Sequence, residues 1–372
     1  MASELSYWDS DMHFGSIEVL IIGGGIVGLT AAREIAIACP SWRVVLVERH
    51  PIGSTASTRN AGFACFGSVS EIAADLDRYG YDAVLSQVQM RRQGLEALAD
   101  FGSSIDFMRY GGTEVFRDEE TFELARARIA EVNEMMGADI FFEAEQRLTS
   151  RLYQRCIHNR IEGQLHPSKY HRLLQREALR SGVELLTGVN VVEITDGRRC
   201  YEVTTDHGSF RSPLLLNTTN ALASRLDPEL AVVAVRNQVM MTDPMSNLQL
   251  RGTYHLDGGY IYFRNVGDRV LIGGGRHLHK SEQSHLLELN PDNQNYLEQL
   301  LRDVILPGHS FTISKRWSGI LSGGDHRLPI VKEQRPGYYV AVRLAGMGVA
   351  IGSLIGRNAA SLLLSGSLNA TR

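Results

Sequence analysis

Hydrophobic residues near the start of the chain follow the pattern of a buried strand, a helix and a second buried strand. Residues 17–22 are mostly apolar, residues 26–38 are rich in apolar side chains, and residues 44–47 are again apolar. Three glycines separate the first strand from the helix, and an acidic residue ends the second strand. Short apolar strands that alternate with helices are typical of parallel sheets. The pattern therefore predicts a βαβ unit over residues 17–49.

The glycine turn in this unit has the spacing G-x-G-x-x-G, formed by Gly23, Gly25 and Gly28. The first glycine permits a tight turn, the second lets the backbone approach a pyrophosphate, and the third allows close packing of the helix on the sheet. The N–H groups and positive dipole end of the helix then face the phosphates. Glu48 follows Gly28 by 20 residues, where an acidic side chain accepts hydrogen bonds from ribose hydroxyls. The segment predicts a dinucleotide site, either for NAD or for FAD.

Farther along the chain, the pattern alternates between α/β and β-rich regions. Residues 51–70 are rich in Gly, Ser and Thr and predict an extended loop. Helical periodicity predicts helices over residues 71–99, 119–136 and 166–182, with Ser168 as N-cap of the last one. Alternating runs with glycine turns predict a broad antiparallel sheet over residues 232–243 and 258–275, and small residues after the last glycine turn predict a final helix that ends near Leu364. Short apolar or alternating runs predict further strands over residues 109–116, 183–186, 189–194, 201–205, 214–217 and 338–342.

The α/β segments lie at the start, the middle and the end of the chain. They predict a discontinuous nucleotide-binding domain over residues 15–85, 150–232 and 315–372. The intervening segments predict a second domain, an α+β substrate domain built on an antiparallel sheet, over residues 86–149 and 233–314. The expected fold class is therefore α/β with an inserted domain.

Composition and charge narrow the classes of partner. A length of 372 residues suffices for two domains, and 44% hydrophobic with 22% charged residues is typical of a globular protein. A net charge of −4 gives no electrostatic reason to expect nucleic acid or an anionic membrane. The four cysteines form no C-x-x-C pair, which suggests neither a metal site nor disulfides. The polar, acidic start and the lack of about 20 uninterrupted apolar residues predict a cytoplasmic protein without a membrane span.

Five blocks of sequence resemble the D-amino-acid-oxidase-like family of FAD-dependent oxidoreductases, which includes glycine oxidase, sarcosine oxidase and γ-glutamylputrescine oxidase. The first block is the glycine turn with Glu48 and Arg49, and the second, residues 57–62 (STRNAG), is similar to the family's S-x-R-N-G-G loop beside the flavin. The other similar blocks are residues 163–170 with 182–183 and 191–194, residues 235–238 (VRNQ), and residues 317–319 with 328–330, 338–340 and 346–350.

The resemblance implies FAD in a Rossmann-like domain of the glutathione-reductase type. The flavin is expected to be non-covalent, because covalent relatives use a cysteine in the C-terminal segment and this chain has none after Cys200. Some blocks also have an explanation that does not involve FAD. Residues 57–62 could be an ordinary polar loop, the glycines of the last turn could serve close helix packing, and Val191 could be an ordinary buried strand residue. The implied FAD-binding residues are Gly23, Gly25, Ile26, Val27, Gly28, Glu48, Arg49, Ser57, Thr58, Arg59, Asn60, Ala61, Gly62, Val191, Gly346, Met347, Gly348, Val349 and Ala350.

The substrate residues are less clearly marked. Many relatives bind a substrate carboxylate with an arginine two residues after W-x-G, and this chain has Leu321 there. Arg316 or Arg343 is a possible substitute. Tyr260 and Tyr262 correspond to tyrosines that relatives place over the flavin ring, although ordinary sheet residues fit equally well, and His277 is a further candidate.

The favoured activity is oxidation of the C–N bond of a small-molecule amine or amino acid by hydride transfer to the flavin, which gives an imine that hydrolyses. The first alternative is an FAD-dependent 2-hydroxy-acid dehydrogenase of the same fold, with His277 as base. The second is an FAD-bearing partner protein without turnover. The lysine that some relatives use to activate oxygen is absent, since Leu271 and Ile272 lie on that strand, so oxygen and other electron acceptors both remain open. The sequence does not specify an oligomeric state.

Overall fold

A computed structural model describes residues 6–52, 54–197, 200–324 and 327–370. Residues 1–5 of the polar start and Gly53 of the predicted loop lie outside the described residues. The strands are β1 (Val19–Ile22), β2 (Val44–Glu48), β3 (Phe63–Ala64), β4 (Gly112–Val115), β5 (Phe141–Glu145), β6 (Arg155–Asn159), β7 (Gly163–Gln164), β8 (Glu184–Thr187), β9 (Val191–Asp196), β10 (Tyr201–Thr205), β11 (Gly208–Ser212), β12 (Leu214–Asn217), β13 (Val233–Thr242), β14 (Thr253–Leu256), β15 (Ile261–Val266), β16 (Arg269–Gly274), β17 (Ile313–Gly323), β18 (Ile330–Arg335) and β19 (Tyr338–Val342).

Helices cover much of the remaining chain. The α-helices are α1 (Tyr7–Phe14), α2 (Ile26–Ala38), α3 (Ala56–Arg59), α4 (Val69–Tyr79), α5 (Tyr81–Ala99), α6 (Glu119–Arg126), α7 (Ile129–Met136), α8 (Pro167–Arg180), α9 (Ala223–Leu226), α10 (Pro291–Leu300) and α11 (Gly348–Ala370). A π-helical turn, Leu301–Ile305, continues α10.

The first compact unit comprises the described residues of Met1–Thr58, Ser168–Ala234 and Leu321–Arg372. Its sheet has the strand order β18-β19-β12-β1-β2-β8, with every neighbouring pair parallel except β18 and β19. The small antiparallel sheet β11-β10-β9 also lies in this unit. Strands β1 and β2 are buried along their whole length, as the apolar pattern predicts for central parallel strands.

The second compact unit comprises Arg59–Pro167 and Val235–Ile320. It contains most of an eight-stranded sheet with the order β17-β13-β16-β15-β14-β4-β6-β5, which is antiparallel at most of its described pairings and parallel between β14 and β4. Its core brings together apolar residues of the central strands with Leu297, Leu300 and Leu301 of α10 and its continuation.

The division between the units differs from the expected domain boundaries at four places. Residues 59–85, 150–167 and 315–320 were expected with the nucleotide-binding segments, and the structure groups them with the second unit, whereas residues 233–234, expected in the substrate domain, fall in the first unit. The physical reason is strand pairing, because β3 pairs with β7 and β6 pairs with β4 and β5 of the large sheet. Such pairing between distant segments leaves no local hydrophobic signature.

Several element bounds also differ from the predicted ones. The predicted helix over residues 71–99 is two helices, α4 and α5, because Gly80 between them has a φ of 81°. The helix predicted over residues 119–136 is likewise divided into α6 and α7. The predicted N-cap Ser168 is wrong, since α8 already begins at Pro167, a residue favoured in the first turn of a helix. The segment over residues 51–70 contains α3, β3 and the start of α4 rather than loop alone.

Helix α11 is the one helix among the described residues that is long and apolar enough, over Gly348–Ser367, to cross a membrane. Just over half of its apolar window, 56%, is buried inside the protein. Within the first unit it packs on α2, where a Cβ at Gly352 would lie 2.8 Å from Ile26 and one at Gly356 would lie 2.7 Å from the Val27 carbonyl oxygen. A buried core helix passes the same length and composition test, so α11 is weak evidence of a membrane span.

Candidate functional site

The glycine turn between β1 and α2 is too tight to hold side chains at two of its predicted positions. Gly23 has a φ of 110°, and a Cβ at Gly28 would lie 2.0 Å from the Gly23 carbonyl oxygen. Helix α2 has Gly25 as its N-cap with no side-chain cap hydrogen bond, and its first turn holds no acidic residue. Ile26 and Val27, also expected to bind FAD, form that turn. A helix end of this kind is suited to a phosphate group, so the residues fit the expected FAD diphosphate.

Glu48 lies at the end of β2 and is only 7% exposed. Its Oε2 atom accepts a hydrogen bond from the Gly24 N–H at 2.9 Å, and its Oε1 atom accepts one from the His50 N–H at 2.9 Å. A carboxylate accepts about four hydrogen bonds in total, so the two contacts leave acceptor capacity for a ribose. Glu48 therefore fixes the glycine turn, and it lies where a residue that binds the ribose of FAD was expected.

Three further side chains hold the same turn. The Thr218 hydroxyl lies 2.9 Å from the carbonyl oxygens of both Ile22 and Gly23, and Ser57 Oγ accepts from the Ile26 N–H at 3.0 Å. His171 Nε2 lies 2.7 Å from the Gly24 carbonyl oxygen. Because a carbonyl only accepts, this nitrogen carries the proton. Sequence reasoning missed Thr218 and His171, which come from distant segments and carry no local motif.

The second glycine-rich turn of the first unit joins β19 to α11 and leads into the expected residues Gly346 to Ala350, of which the last three begin α11. Its backbone is strained, because Arg343 and Ala345 have φ angles of 63° and 48°. Asn220 Oδ1 accepts hydrogen bonds from the N–H groups of Arg343 at 3.1 Å and Leu344 at 3.2 Å, which fixes the turn. Met347 precedes α11, which begins at Gly348, so its first N–H groups lie beside this turn. Asn220 is another residue that the sequence did not reveal.

The remaining FAD candidates of the first unit occupy varied positions. Arg49 is exposed immediately after β2, Thr58 lies in α3, and Val191 is a partly buried residue at the start of β9.

In the second unit, the segment Arg59 to Gly62 is held by side chains from the large sheet and by one of its own. Arg59 Nε donates to the Ser318 carbonyl at 2.6 Å, and Trp317 Nε1 donates back to the Arg59 carbonyl at 2.9 Å. Asn60 Oδ1 accepts from the Gly62 N–H at 2.8 Å. Arg264, missed in the sequence, donates to the carbonyls of Ala61 and Leu165, and burial lowers its pKa to about 10. The segment is therefore a fixed structure rather than an open surface loop.

Tyr262 lies on β15, on the face that Phe63 and Trp317 cover. Its ring crosses β16 at Gly273, where a Cβ would lie 2.6 Å from the ring, and its hydroxyl accepts from Asn237 Nδ2 at 2.9 Å. Burial raises the pKa of Tyr262 to about 12, so the phenol stays neutral. The buried Asn237 Oδ1 atom accepts no hydrogen bond from any described residue. A neutral donor and an unpaired acceptor therefore lie side by side on this face.

Tyr260 lies just before β15 and contacts the two residues that follow the turn after β16. Its ring centroid is 4.6 Å from that of His277, and the Arg276 guanidinium lies over the ring at 4.9 Å. Burial lowers the pKa of His277, which favours the neutral imidazole. The Arg276 side chain forms no ion pair or hydrogen bond with the described residues, and its charge acts on the Tyr262 phenol. The sequence identified His277 as a candidate and did not identify Arg276 beside it.

The two arginines proposed for a substrate carboxylate are engaged elsewhere. Arg343 donates from Nε to the Leu328 carbonyl at 2.9 Å and from Nη1 to the Ala231 carbonyl at 3.3 Å, within the first unit. Arg316 donates to Gln294 Oε1 at 3.0 Å and pairs with Glu298, within the second unit. Arg276 is therefore the better placed arginine for an anionic ligand.

Comparisons with known proteins show the family and the fold. The family model of DAO, the FAD dependent oxidoreductases, matches residues 18–362. The probable oxidoreductase OrdL of Haemophilus influenzae is 22% identical over 369 residues, which cover 93% of this chain and 83% of OrdL.

Solved structures have the same fold. Glycine oxidase from Geobacillus kaustophilus has a TM-score of 0.80 at 21% identity, and L-proline dehydrogenase from P. horikoshii has 0.78 at 18%, each covering 94% of both chains. Iminodiacetate oxidase from Chelativorans sp. BNC1 has 0.76 at 18%, covering 94% of this chain and 95% of its own. The expected α/β fold and the expected resemblance are both confirmed.

Proposed function

Because the chain belongs to the DAO family of FAD-dependent oxidoreductases, we propose that it oxidises the C–N bond of a small amine or amino acid. FAD supplies the acceptor for two electrons and a hydrogen from the carbon beside the nitrogen, and the imine so formed hydrolyses to a carbonyl compound. Three proteins of the same fold are named for the oxidation of glycine, proline or iminodiacetate, each of which has such a carbon. We infer that this chain acts on the same type of bond.

The observation that carries the proposal is the pairing of Tyr262 with Asn237. The neutral phenol can donate a hydrogen bond, and the unpaired Asn237 Oδ1 can accept one from an amine N–H. With a pKa of about 12, Tyr262 is not a base at neutral pH. Oxidation of an unprotonated amine requires no separate base, whereas oxidation of an alcohol requires removal of the hydroxyl proton. The arrangement therefore favours an amine.

We propose that the FAD diphosphate is held by the turn of Gly23, Gly25 and Gly28, with Glu48 at the ribose. The tight turn and the N-terminus of α2, which lacks an acidic residue in its first turn, support this placement. The segments Ser57 to Gly62 and Gly346 to Ala350 remain proposed flavin residues on the basis of the family resemblance.

We also propose Arg276 as the residue that recognises a substrate carboxylate. It replaces the family arginine whose position is Leu321, and no described side chain neutralises it. An arginine binds a carboxylate through two parallel hydrogen bonds, which fixes the orientation of the substrate. This part of the proposal favours amino acids over simple amines.

The proposal is tested by mixing the FAD-loaded protein anaerobically with a panel of amines, amino acids and 2-hydroxy acids. Loss of the oxidised flavin absorbance with at least one amine or amino acid is the expected result. His277, a neutral imidazole beside Tyr260, favours the alternative of alcohol oxidation. Bleaching by a 2-hydroxy acid alone would overturn the proposal in favour of that alternative, and no bleaching by any compound would indicate an FAD protein without turnover.

The role of Arg276 is tested separately with Arg276→Gln. We expect a rise in KM of about 100-fold for a carboxylate substrate, equivalent to loss of about 2.7 kcal/mol of charge-assisted hydrogen bonding. The matched control is Arg316→Gln, which removes an equal charge already paired with Glu298. Equal effects of the two variants would contradict the assignment.

A further inference from the structure

Cys65, Glu162 and His255 lie together in the second unit, on three segments that are distant in the sequence. Cys65 follows β3, Glu162 precedes β7, and His255 lies on β14. One potential ligand atom from each, a sulfur, an oxygen and a nitrogen, lies within 4.8 Å of the others. His255 Nε2 is 3.1 Å from Glu162 Oε2. We propose that these three side chains bind a zinc ion.

The donor set and its spacing suit this metal. Zinc is bound by cysteine sulfur at about 2.3 Å, histidine nitrogen at about 2.0–2.1 Å and carboxylate oxygen at about 2.0–2.2 Å, in a tetrahedral arrangement. Neighbouring ligand atoms of such a tetrahedron lie roughly 3–4 Å apart. The three potential ligand atoms lie within 4.8 Å of one another, and the nitrogen and oxygen are 3.1 Å apart. The three residues fill three positions and leave the fourth for water or another small ligand.

The surroundings hold the carboxylate in place, as a metal ligand requires. Glu162 is fully buried, and its Oε1 atom accepts hydrogen bonds from the N–H groups of Phe66 at 3.1 Å and Gly67 at 3.3 Å. Its Oε2 atom is the one that faces His255. Bonds from outer groups that orient ligands are a regular feature of metal sites.

The charge around the cluster also favours a cation. The carboxylates of Glu71 and Glu114 act on His255 together with that of Glu162. Arg91, 3.9 Å from Glu71, is the guanidinium whose charge acts on the Cys65 sulfur. A divalent ion at the cluster would attract all three carboxylates, whose burial is otherwise costly.

The cluster lies inside the second unit. His255 is only 5% exposed and Glu162 is not exposed, and part of Cys65 reaches the surface although its sulfur is buried. Binding removes the thiol proton, since the thiolate is the form that ligates the metal. The bound ion would connect the segment after β3 to β14 and to the turn before β7.

Metal binding is tested on the FAD-loaded protein after treatment with a chelator and dialysis against Zn²⁺. We expect about one zinc per chain by elemental analysis, and at least a tenfold weaker affinity in Cys65→Ser and in Glu162→Gln. Cys200→Ser is the matched control, because that cysteine is also partly exposed and lies in the other unit. Equal zinc content in the wild type and in Cys65→Ser would overturn the proposal.

A second measurement uses only the wild type, so it does not depend on the folding of any variant. Co²⁺ in a tetrahedral site with a thiolate ligand gives ligand-field bands at longer wavelengths than the oxidised flavin. We expect these bands to saturate at one Co²⁺ per chain and to disappear on addition of Zn²⁺. Absence of the bands would overturn the proposal. Zinc binding is independent of the proposed oxidation, because it is measured whether or not any substrate reduces the flavin.

Discussion

Single residues from distant segments hold the backbone of the proposed cofactor turn. Glu48, Thr218 and His171 each make a hydrogen bond to the short segment Ile22–Gly24. Their partners are main-chain groups, so they determine where the remaining N–H groups of the turn point. The glycines permit the turn, and these three side chains select one conformation of it.

We predict that Glu48→Gln weakens FAD binding by about tenfold or more. The variant removes the charge that accepts from Gly24 and His50, and a charge-assisted hydrogen bond is worth about 1.5–3 kcal/mol. The measurement is the dissociation constant of FAD by fluorescence titration of the apoprotein. Glu34→Gln is the control, since Glu34 lies on the same βαβ unit and contacts Arg33 instead. Unchanged FAD affinity in Glu48→Gln would contradict the ribose and turn assignment.

The residues found from sequence and those missed differ in one physical respect. Gly23, Gly28 and Glu48 belong to a local motif whose spacing is set by one βαβ unit, so the sequence reveals them. Asn237, Arg276 and Asn220 act through contacts that form only when distant segments meet. The Cys65, Glu162 and His255 cluster was missed for the same reason, because no pair of its residues is close in the sequence.

At the level of elements, strands were predicted well where burial is continuous or alternates regularly along the strand. Strands β10, β12 and β19 have the predicted bounds, because a short apolar or alternating run has one stable solution in a sheet. Helix boundaries were predicted less well, since Gly80 interrupts a pattern whose periodicity continues on both sides. Pairing of β3 with β7 was not predictable from either two-residue segment.

We predict that Gly356→Ala destabilises the first unit by about 1–3 kcal/mol, the usual cost of overpacking a close helix contact. The new Cβ would lie 2.7 Å from both the Val27 carbonyl oxygen and the Thr30 Cβ on α2, and a backbone oxygen cannot move aside cheaply. Urea denaturation of the FAD-loaded protein measures the effect. Asn358→Ala, on an exposed position of the same helix, is the control. Equal stability of the two variants would show that α2 and α11 are not in close contact.

At the scale of the whole molecule, buried ionisable groups link stability to pH. Burial raises the pKa of Tyr170 in the first unit and of Tyr262 in the second to about 12. A raised folded-state pKa means that the folded protein keeps the phenol proton more tightly than the unfolded chain. The phenol therefore contributes its full stabilisation of the folded protein at pH values below the unfolded-state pKa of about 10, and this stabilisation is lost as the pH rises towards 12. Arg264, whose pKa is lowered to about 10, acts in the opposite direction over the same range.

The phenol of Tyr170 lowers the free energy of unfolding of the wild type between neutral pH and about pH 11. We predict that this fall is smaller in Tyr170→Phe by about 1.4 kcal/mol, the equivalent of one pKa unit. Comparison with the wild type cancels the contribution of Arg264 and isolates that of the phenol. The variant also loses the hydrogen bond between Tyr170 and Ser353, which lowers stability at all pH values by about 1 kcal/mol. Urea denaturation at several pH values separates the two effects, because only the phenol contribution changes with pH.

Tyr81→Phe, at a 50% exposed tyrosine, is the control. A pH dependence in Tyr170→Phe equal to that of the wild type would mean that this phenol is hydrated rather than buried.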